Sequence, residues 1–450
     1  MSVVTFKFKS ELRGLLTLGL PIILTQFIQV SNTTVAILMM GRVGSIELAA
    51  VGLGGAFMIF VFLTCLGVMM SLSPTIAQHF GAGRDDSIRH AFQQGLWLAV
   101  GTGAAAFFLL RQMGRLMHWM AVDPEVIPLA QAYLDIAAWS MPSVCIYMAF
   151  RFLCEATGHS RPMLVVNIVT LPVVVGGNWA LIFGHWGLPA LGVEGAAFNL
   201  ILVMMLNALG LALFVLVSER YRVRRLFDLF QWPSRECLIL LKLGLPIAGT
   251  LVLDSGFFSA IALLMGKMGY VWLAAHQVAI NYATVAFMIP VSLSSATMAR
   301  VGQAVGQGDW VLARARGFLG ISSSLLLVLP SIILVLAVPQ WIAHLYTGDV
   351  AVIEAAVPLL MAAAALHLFD AIYITAQGAL RGLKDVNGPM LISLSFWLCG
   401  LPAAWFFGIV NDWGAVGLWW GMIVGVALTA VLLLWRFDWR SRSMILAKTG

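Results

Sequence analysis

The sequence predicts an all-α, polytopic membrane protein, with twelve transmembrane helices in two pseudo-symmetric six-helix lobes around a central cavity. Three observations lead to this prediction: the composition, the lengths of the apolar runs and an internal repeat. Of the 450 residues, 61% are hydrophobic and 10% are charged. Because a soluble domain carries about 25% charged residues, this composition indicates helices that pack against one another within lipid.

Apolar runs mark the predicted spans, because a helix needs about 20 apolar residues to cross a hydrocarbon core about 30 Å thick. The runs cover residues 14–40, 46–78, 92–117, 125–156, 162–184, 190–217, 238–265, 271–300, 313–337, 350–380, 388–410 and 414–437. The most charged stretch, residues 218–236, lies between the sixth and seventh runs. It predicts a cytoplasmic linker between an N-terminal lobe, residues 1–217, and a C-terminal lobe, residues 237–450.

The Lys and Arg residues predict the orientation in the membrane. With the N-terminus in the cytoplasm, 22 of the 26 basic residues, Arg381 among them, fall in inner segments and 4 fall in outer ones. Since basic residues favour cytoplasmic loops, we expect both termini in the cytoplasm. The net charge of +6 is spread over many short loops. This pattern argues against nucleic acid as a partner and favours the lipid bilayer.

The two halves of the sequence repeat at a spacing of 225 residues. At this spacing the LGLP motif that ends at Pro21 falls on the one that ends at Pro246, and Gln78 falls on Gln303. The register holds over about 65 residues without a gap. Each predicted half has an even number of helices, so both halves have the same orientation and the repeat is parallel. Parallel repeats typically place a substrate path between the halves and move by rocking.

Two acidic residues lie deep in predicted spans of the second half. Asp254 lies roughly 12 Å beyond Pro246 along the seventh span, and Asp370 lies well inside the tenth. A carboxylate at that depth costs several kcal/mol unless it is paired, hydrated or protonated. The repeat places Gln29 opposite Asp254 and gives neither acid a counterpart in the first half. Two carboxylates in one desolvated site suit H⁺, Na⁺ or an organic cation; the alternative is a purely structural, hydrogen-bonded role.

Other polar residues carry weaker signals. His367 lies three residues before Asp370 and shares its helix face, but a packed or hydrogen-bonded histidine is more common than a proton relay. Arg151 and Glu155, at i,i+4 spacing, predict a structural ion pair. The sequence has no Walker motif, no clustered nucleophile and base at membrane depth, and no histidine cluster. We therefore expect neither an enzyme nor a cofactor beyond a coupling ion.

Several segments resemble the multidrug and toxic compound extrusion (MATE) family, in particular its NorM-type bacterial members. The resemblance covers nearly the whole chain. It rests on residues 18–41 with the ELAAVGLG that follows within 47–54, LGLP with Asp254, AAHQVAINYATVAFMIP over 274–290, the segment around Gln303 and Gly306, and FDAIYITAQGALRGLKD over 369–385.

The resemblance implies two lobes around a cavity that opens alternately to each side of a bacterial inner membrane. It implies secondary active efflux of cationic amphiphilic drugs in exchange for Na⁺ or H⁺. In cation-coupled members, acids on the seventh and tenth helices carry the ion, and these positions are Asp254 and Asp370 here. An aromatic residue on the eighth helix is implicated in some members, and Tyr282 matches it. Nothing in the sequence demands more than a monomer.

Further polar residues in or beside the matched segments are secondary candidates for the site, namely Gln277, Asn281, Gln29, Gln377 and His367. One departure from the family pattern concerns the first helix. NorM-type sequences usually carry an aspartate five residues before the glycine that ends this span, and Ala36 stands at that position here. A protonation switch on that aspartate is therefore ruled out, and we expect the C-terminal lobe to carry the coupling ion, or the coupling to be altered.

Two other functions are alternatives to secondary active efflux. A lipid-linked oligosaccharide flippase needs basic residues in the cavity to hold pyrophosphate, whereas the deep charges singled out here are acidic. A passive channel is compatible with these residue types, although a two-lobe repeat suits alternating access better. Carboxylates serve both Na⁺ and H⁺, so the sequence leaves the coupling ion and the drug list open.

Overall fold

The computed structural model describes residues 8–120, 125–222, 224–228 and 231–449. Residues 223, 229 and 230 of the predicted linker lie outside these ranges. The first half of the described chain contains α1 (Phe8–Met40), α2 (Ser45–Met70), α3 (Leu72–Gly81), α4 (Asp85–Leu110), α5 (Met113–Trp119), α6 (Val126–Ala137), α7 (Ser140–Ala156), α8 (Arg161–Phe183), α9 (Gly192–Val217) and α10 (Glu219–Arg222).

The second half continues with α11 (Arg235–Gly266), α12 (Tyr270–Gly306), α13 (Trp310–Ala337), α14 (Pro339–Tyr346), α15 (Val350–Gly382), α16 (Asn387–Ser395), α17 (Leu401–Trp405) and α18 (Gly414–Thr449). Two π-helical segments, Phe396–Gly400 and Phe406–Val410, flank α17. Within the described ranges every regular element is helical, so the all-α prediction is confirmed.

In the described part of the chain, eleven stretches of helix are long and apolar enough to cross a membrane, and the bent pair α6 and α7 makes a twelfth if it forms one span. Several boundaries differ from the predicted ones. The third span was expected over 92–117, but α4 begins at Asp85 and ends at Leu110, and the separate helix α5 follows. The last helix continues twelve residues past the predicted end at Phe437.

The predicted continuous helix over 125–156 is wrong. The axes of α6 and α7 differ by 46°, with a break at Ala138 and Trp139. Pro142 has no N–H to donate to the carbonyl of Ala138, and its ring crowds that carbonyl. Ser140 donates its hydroxyl to the carbonyl oxygen of Ala137 at 2.7 Å, which satisfies one acceptor at the break.

The chain divides into two compact units. Unit 1 comprises Met1–Ile23 and Thr250–Gly450, and unit 2 comprises Leu24–Gly249. The divisions fall shortly after Pro21 and Pro246, the equivalent prolines of the repeat, so α1 and α11 each begin in one unit and end in the other. The lobe boundaries expected from the sequence, at 217/218 and 236/237, stay a prediction.

In unit 1, α15 packs against α12, α13 and α18 and occupies the centre of the helix bundle. Its contact with α12 is close because α15 carries glycines there. A Cβ atom added at Gly378 would lie 2.4 Å from the carbonyl oxygen of Ser294, and one at Gly382 would lie 2.8 Å from that of Met298. Glycine at such positions lets helix backbones approach within a membrane. This packing fixes the helix that carries Asp370.

Each unit contains an ion pair with a buried arginine, which joins different helices in unit 1 and lies within α7 in unit 2. In unit 1, Nε of Arg316 lies 2.7 Å from the carboxylate of Glu11, and Arg300 contacts the same carboxylate. In unit 2, Nε of Arg151 donates to Oε1 of Glu155 at 2.7 Å. The ion pair predicted from the i,i+4 spacing is therefore confirmed.

Candidate functional site

A row of polar side chains follows one face of α15. His367, Asp370, Gln377 and Arg381 are separated by three, seven and four residues, which places them on one side of an α-helix. Asp370 is 5% exposed and Arg381 is 2% exposed. The row extends for about 21 Å at about 1.5 Å per residue. The row therefore places both a carboxylate and a guanidinium group in the interior of unit 1.

Asp254 on α11 meets α15 through Tyr373. The hydroxyl of Tyr373 donates a hydrogen bond to Oδ2 of Asp254. The other carboxylate oxygen, Oδ1, is buried and has no hydrogen-bond partner among the residues that the structure describes. Asp254 as a whole is 9% exposed. One oxygen of this acid is thus held by the protein, and the other is available to water or a cation.

Three further groups interact electrostatically with the carboxylate of Asp254, namely Arg381, Ser393 of α16 and Gln377. Arg381 donates from Nη2 to Oε1 of Gln377 at 2.7 Å, which orients both side chains. Asp370 also lies within Coulombic range of Asp254. The two acids that the sequence singled out therefore share one cluster with a buried arginine, as expected of a common site.

Several polar atoms of this cluster are buried and have no hydrogen-bond partner among the described residues. They are Nε2 of Gln377 and Oγ of Ser393, besides Oδ1 of Asp254. Most buried polar atoms in proteins have a hydrogen-bond partner, and isolated exceptions commonly bind water or an ion. The oxygen atoms of Asp254, Asp370 and Ser393 are the ligand type that hard cations prefer. The arrangement fits a hydrated or directly bound monovalent cation.

Tyr282 of α12 lies beside the other end of the row. Its hydroxyl donates to the carbonyl oxygen of Ser331 at 2.6 Å, and its ring centroid lies 5.8 Å from that of His367. Both ring nitrogens of His367 are buried without a hydrogen-bond partner. The structure therefore brings Tyr282 to His367, less than one helical turn before Asp370, rather than to Asp254 directly. The histidine is packed against an aromatic ring, as the commoner interpretation expected.

The remaining secondary candidates lie elsewhere. Gln277 and Asn281 are exposed on one face of α12, four residues apart. Gln29 and Ala36 are half-buried residues of α1 and belong to unit 2. Gln377 is the one secondary candidate that lies within reach of Asp254.

Three residues of the cluster were not identified from the sequence: Tyr373, Arg381 and Ser393. Arg381 was counted only as a charge for topology, although it lies four residues after Gln377 and eleven after Asp370. That spacing could have placed it on the face of the acid. Tyr373 and Ser393 left no comparable signal, because their positions depend on how α11, α15 and α16 pack.

The MatE family model matches residues 21–180 and 246–406 of the chain. The two matched regions correspond to the two halves of the internal repeat. Together they cover well over half of the sequence.

Curated relatives match almost from end to end. The multidrug resistance protein NorM of Aliivibrio fischeri is 32% identical over 444 residues, which are 97% of this chain and 96% of the relative. The probable multidrug resistance protein NorM of Pseudomonas putida is 35% identical, over 98% and 97% of the two chains. The multidrug resistance protein PmpM of Pseudomonas aeruginosa is 34% identical, over 98% and 94%.

Solved structures share the fold. The crystal structure of the eukaryotic MATE transporter AtDTX14 superposes with a TM-score of 0.86 at 19% identity and covers 97% of this chain and 98% of that one. A crystal structure of MATE in the bent conformation gives 0.87 at 17% identity, over 99% and 100%. With the family model matched over both halves and relatives above 30% identity along almost the full length, the chain belongs to the MatE family.

Proposed function

We propose that the chain is a multidrug efflux transporter of the secondary active type, which exports cationic amphiphilic compounds in exchange for Na⁺ or H⁺. Family membership supports the transport class, since relatives that match nearly the whole chain are named multidrug resistance proteins. The observation that carries the coupling proposal is the unpartnered Oδ1 of Asp254 within the cluster that holds Asp370 and Arg381.

The charge of the cluster favours exchange of a single monovalent cation. With Asp254 and Asp370 ionised and Arg381 protonated, the cluster has a net charge of about −1. One H⁺ or one Na⁺ neutralises it. An uncompensated charge is costly in a low-dielectric environment, so the empty cluster attracts a cation of either kind. A cationic drug and the coupling ion can therefore compete for the same negative charge.

Competition of this kind couples the two movements. When the cluster holds the coupling ion, it is neutral and attracts a cationic drug less strongly. When the ion leaves, the negative charge returns and the drug binds more strongly. Such differential binding to two states is what thermodynamic coupling requires. Tyr373 holds one oxygen of Asp254, Arg381 sets the net charge, and no covalent step is involved.

The proposal also covers the membrane, the orientation, the oligomeric state and the residues beside the ion cluster. The chain works in the bacterial inner membrane, with both termini in the cytoplasm, and a monomer suffices. Gln277 and Asn281, on the exposed face of α12, contact the drug rather than the ion. Tyr282 and His367 lie next to the ion cluster. Ala36 leaves coupling to the C-terminal half.

The flippase alternative is not favoured. A pyrophosphate carries several negative charges and requires a site with net positive charge. Arg381 is a buried cation, but two carboxylates in its cluster outweigh it. The net negative charge fits a cation and opposes pyrophosphate.

The test is export of a fluorescent cationic dye from proteoliposomes, with a pH gradient and a Na⁺ gradient imposed separately. Native protein should export dye when one of the gradients is imposed, and Asp254→Asn and Asp370→Asn should each abolish gradient-driven export. Asp349→Asn is a matched control, because Asp349 caps the N-terminus of α15 and asparagine caps as well as aspartate. It should export dye at the native rate.

Two results would count against the proposal. Unchanged gradient-driven export by both acid variants would refute the site and leave the acids structural. Dye that moves down its own gradient and ignores both ion gradients would refute antiport and favour a channel.

A further inference from the structure

The linker that follows α10 runs along α4. We call the described residues 226–228 and 231–234 of this linker the strap. Just before the strap, Nε of Arg224 donates to Oδ1 of Asp85, the first residue of α4, at 2.8 Å. Near the end of the strap, Nε1 of Trp97 donates to the carbonyl oxygen of Gln231 at 2.9 Å. The contacts of the linker with α4 therefore extend from Asp85 to Trp97, over about 18 Å of that helix at about 1.5 Å per residue.

Two consecutive glutamines of α4 hold the strap by its backbone. Nε2 of Gln93 donates to the carbonyl oxygens of Leu226 and Asp228 at 3.0 and 3.1 Å, and its Oε1 accepts from the N–H of Gln231 at 3.2 Å. Nε2 of Gln94 donates to the carbonyl oxygen of Trp232 at 3.1 Å, and its Oε1 accepts from the N–H of Ser234 at 2.8 Å. Both glutamines are buried.

This arrangement is what an irregular segment needs when it lies away from water. In lipid, backbone N–H and C=O groups must find partners within the protein, since each unsatisfied group costs several kcal/mol. At the aqueous surface, water would form hydrogen bonds with these backbone groups. Burying two glutamine side chains inside a span would then cost desolvation free energy and would not stabilise the strap. The paired glutamines thus indicate that the strap lies where water is scarce.

The sequence of α4 locates that level. No charged residue occurs between His90 and Arg111. These twenty residues give about 30 Å of helix, which matches the hydrocarbon thickness of a bilayer. Trp97 lies about 9 Å inside the start of this run. The carbonyl oxygen of Gln231 accepts a hydrogen bond from Trp97, and the ring of Trp232 stacks on that of Trp97. We call Gln231 and Trp232 the tip of the strap, and the tip therefore reaches below the membrane surface.

The side chains at the tip suit the boundary between headgroups and acyl chains. Trp232 is 81% exposed, although its ring stacks on that of Trp97 with centroids 5.7 Å apart and an angle of 16°. Val100, about one turn along α4 from Trp97, is an exposed apolar residue of the span. Arg235, next to the strap, is exposed as well. Tryptophan and arginine at such a level are typical of membrane interfaces.

We propose that the strap is an interfacial anchor, inserted in the bilayer leaflet on the side of the linker, with Trp232 in contact with lipid. The occupant of this surface is lipid at the headgroup–acyl boundary. The proposal does not depend on the coupling ion or on the drug. It gives Gln93 and Gln94 a role that the transport site does not supply.

The test places an environment-sensitive nitrobenzoxadiazole dye on single cysteines in proteoliposomes of the purified chain. Cys237 and Cys399, the two cysteines that are not buried, are first replaced by serine. The dye is then attached at Trp232→Cys and, as the matched control in the same linker, at Arg225→Cys, whose side chain is 74% exposed. Quenching by iodide in the water is compared with quenching by lipids that carry a nitroxide on the acyl chain.

The dye at position 232 should be quenched several-fold more by the nitroxide lipid than the dye at 225, and several-fold less by iodide. If Trp232→Cys does not fold, Gln231→Cys serves the same purpose, because only backbone atoms of Gln231 bind α4. Equal iodide quenching at 225 and at the tip, without quenching by the nitroxide lipid, would overturn the proposal and place the strap in water.

Discussion

The hydroxyl of Tyr373 donates a hydrogen bond to one carboxylate oxygen of Asp254, while the second oxygen of the same acid is buried and has no hydrogen-bond partner in the described part of the chain. The bond joins α15 to α11 at the acid that the sequence placed in the middle of a span. The transport proposal rests on this asymmetry, and the predictions below begin from it.

Tyr373→Phe removes that hydrogen bond and keeps the ring. A hydrogen bond to a charged group contributes about 1.5–3 kcal/mol, and its loss makes the ionised carboxylate less stable. We expect the cation to bind about tenfold more tightly, since about 1.4 kcal/mol corresponds to a factor of ten. Because release becomes slower, the maximal rate of dye export should fall. Both quantities follow from export measured against cation concentration.

Tyr221→Phe is the control for this change. It removes the hydrogen bond with Thr157 in unit 2 and leaves Asp254 untouched. It should leave the half-saturating cation concentration close to the native value. Equal shifts in the two variants would show that the effect is general and does not come from the bond to Asp254.

Arg381→Gln should change the number of cations that the drug-free cluster binds. Without this cation the cluster of Asp254 and Asp370 carries a charge of about −2, so neutrality requires two monovalent cations. We expect the number of cations bound per protein molecule to rise from one to two. The measurement is binding of ²²Na⁺, and uptake of H⁺ from weak buffer, by the purified protein without drug. Arg381→Lys keeps the charge and should keep the native number; an unchanged number in Arg381→Gln would refute the charge count.

Gly378→Ala should destabilise the protein, because a Cβ atom at this position would meet the backbone of α12 at Ser294. Overpacking of a tight contact costs about 1–3 kcal/mol. Thermal unfolding followed by size-exclusion chromatography should show a lower Tm. Gly101→Ala in α4 is the control, since a Cβ atom there would have no neighbour within 4 Å. A Tm of Gly378→Ala equal to that of the control would show that α12 can move aside.

Acid should weaken the helix connection at His159, between α7 and α8. Burial, and then the nearby Arg220, lower the pKa of His159 below its ordinary value of 6.5. Its Nε2 lies 2.7 Å from Nη1 of Arg220. Because the unfolded chain binds the proton more readily, stability is fully present above about pH 6.5 and declines as the pH falls towards the folded pKa. Tm measured from pH 7.5 to 5 should fall, and His159→Gln should flatten that fall; identical curves would exclude His159.

Much of the fold was predictable because length and hydropathy alone define a span. Asp254 and Asp370 are both buried, which agrees with their positions well inside predicted spans. The break at Ala138 was missed because a hydropathy run continues through Pro142. Proline inside a span bends some helices and not others, depending on the packing around it.

The residues that surround Asp254 and Asp370 were harder to predict from the sequence. A helix face predicts which residues of α15 point together, and so Arg381 could have been grouped with Asp370. It does not predict the rotation of α11 against α15, which brings Tyr373 to Asp254. The role of Gln93 and Gln94 could not be predicted from sequence for the same reason. Their hydrogen-bond partners lie in a linker more than 130 residues away in the chain.

The most direct test of the central claim is cation release on drug binding. Purified protein in lipid nanodiscs is mixed with tetraphenylphosphonium, and displaced H⁺ in weak buffer and displaced ²²Na⁺ are measured with the bound drug. We predict one cation of one kind displaced per drug bound by the native chain, and none when Asp254→Asn and Asp370→Asn are combined. Drug binding by the native chain without displacement of either cation, or unchanged displacement by the double variant, would contradict the account.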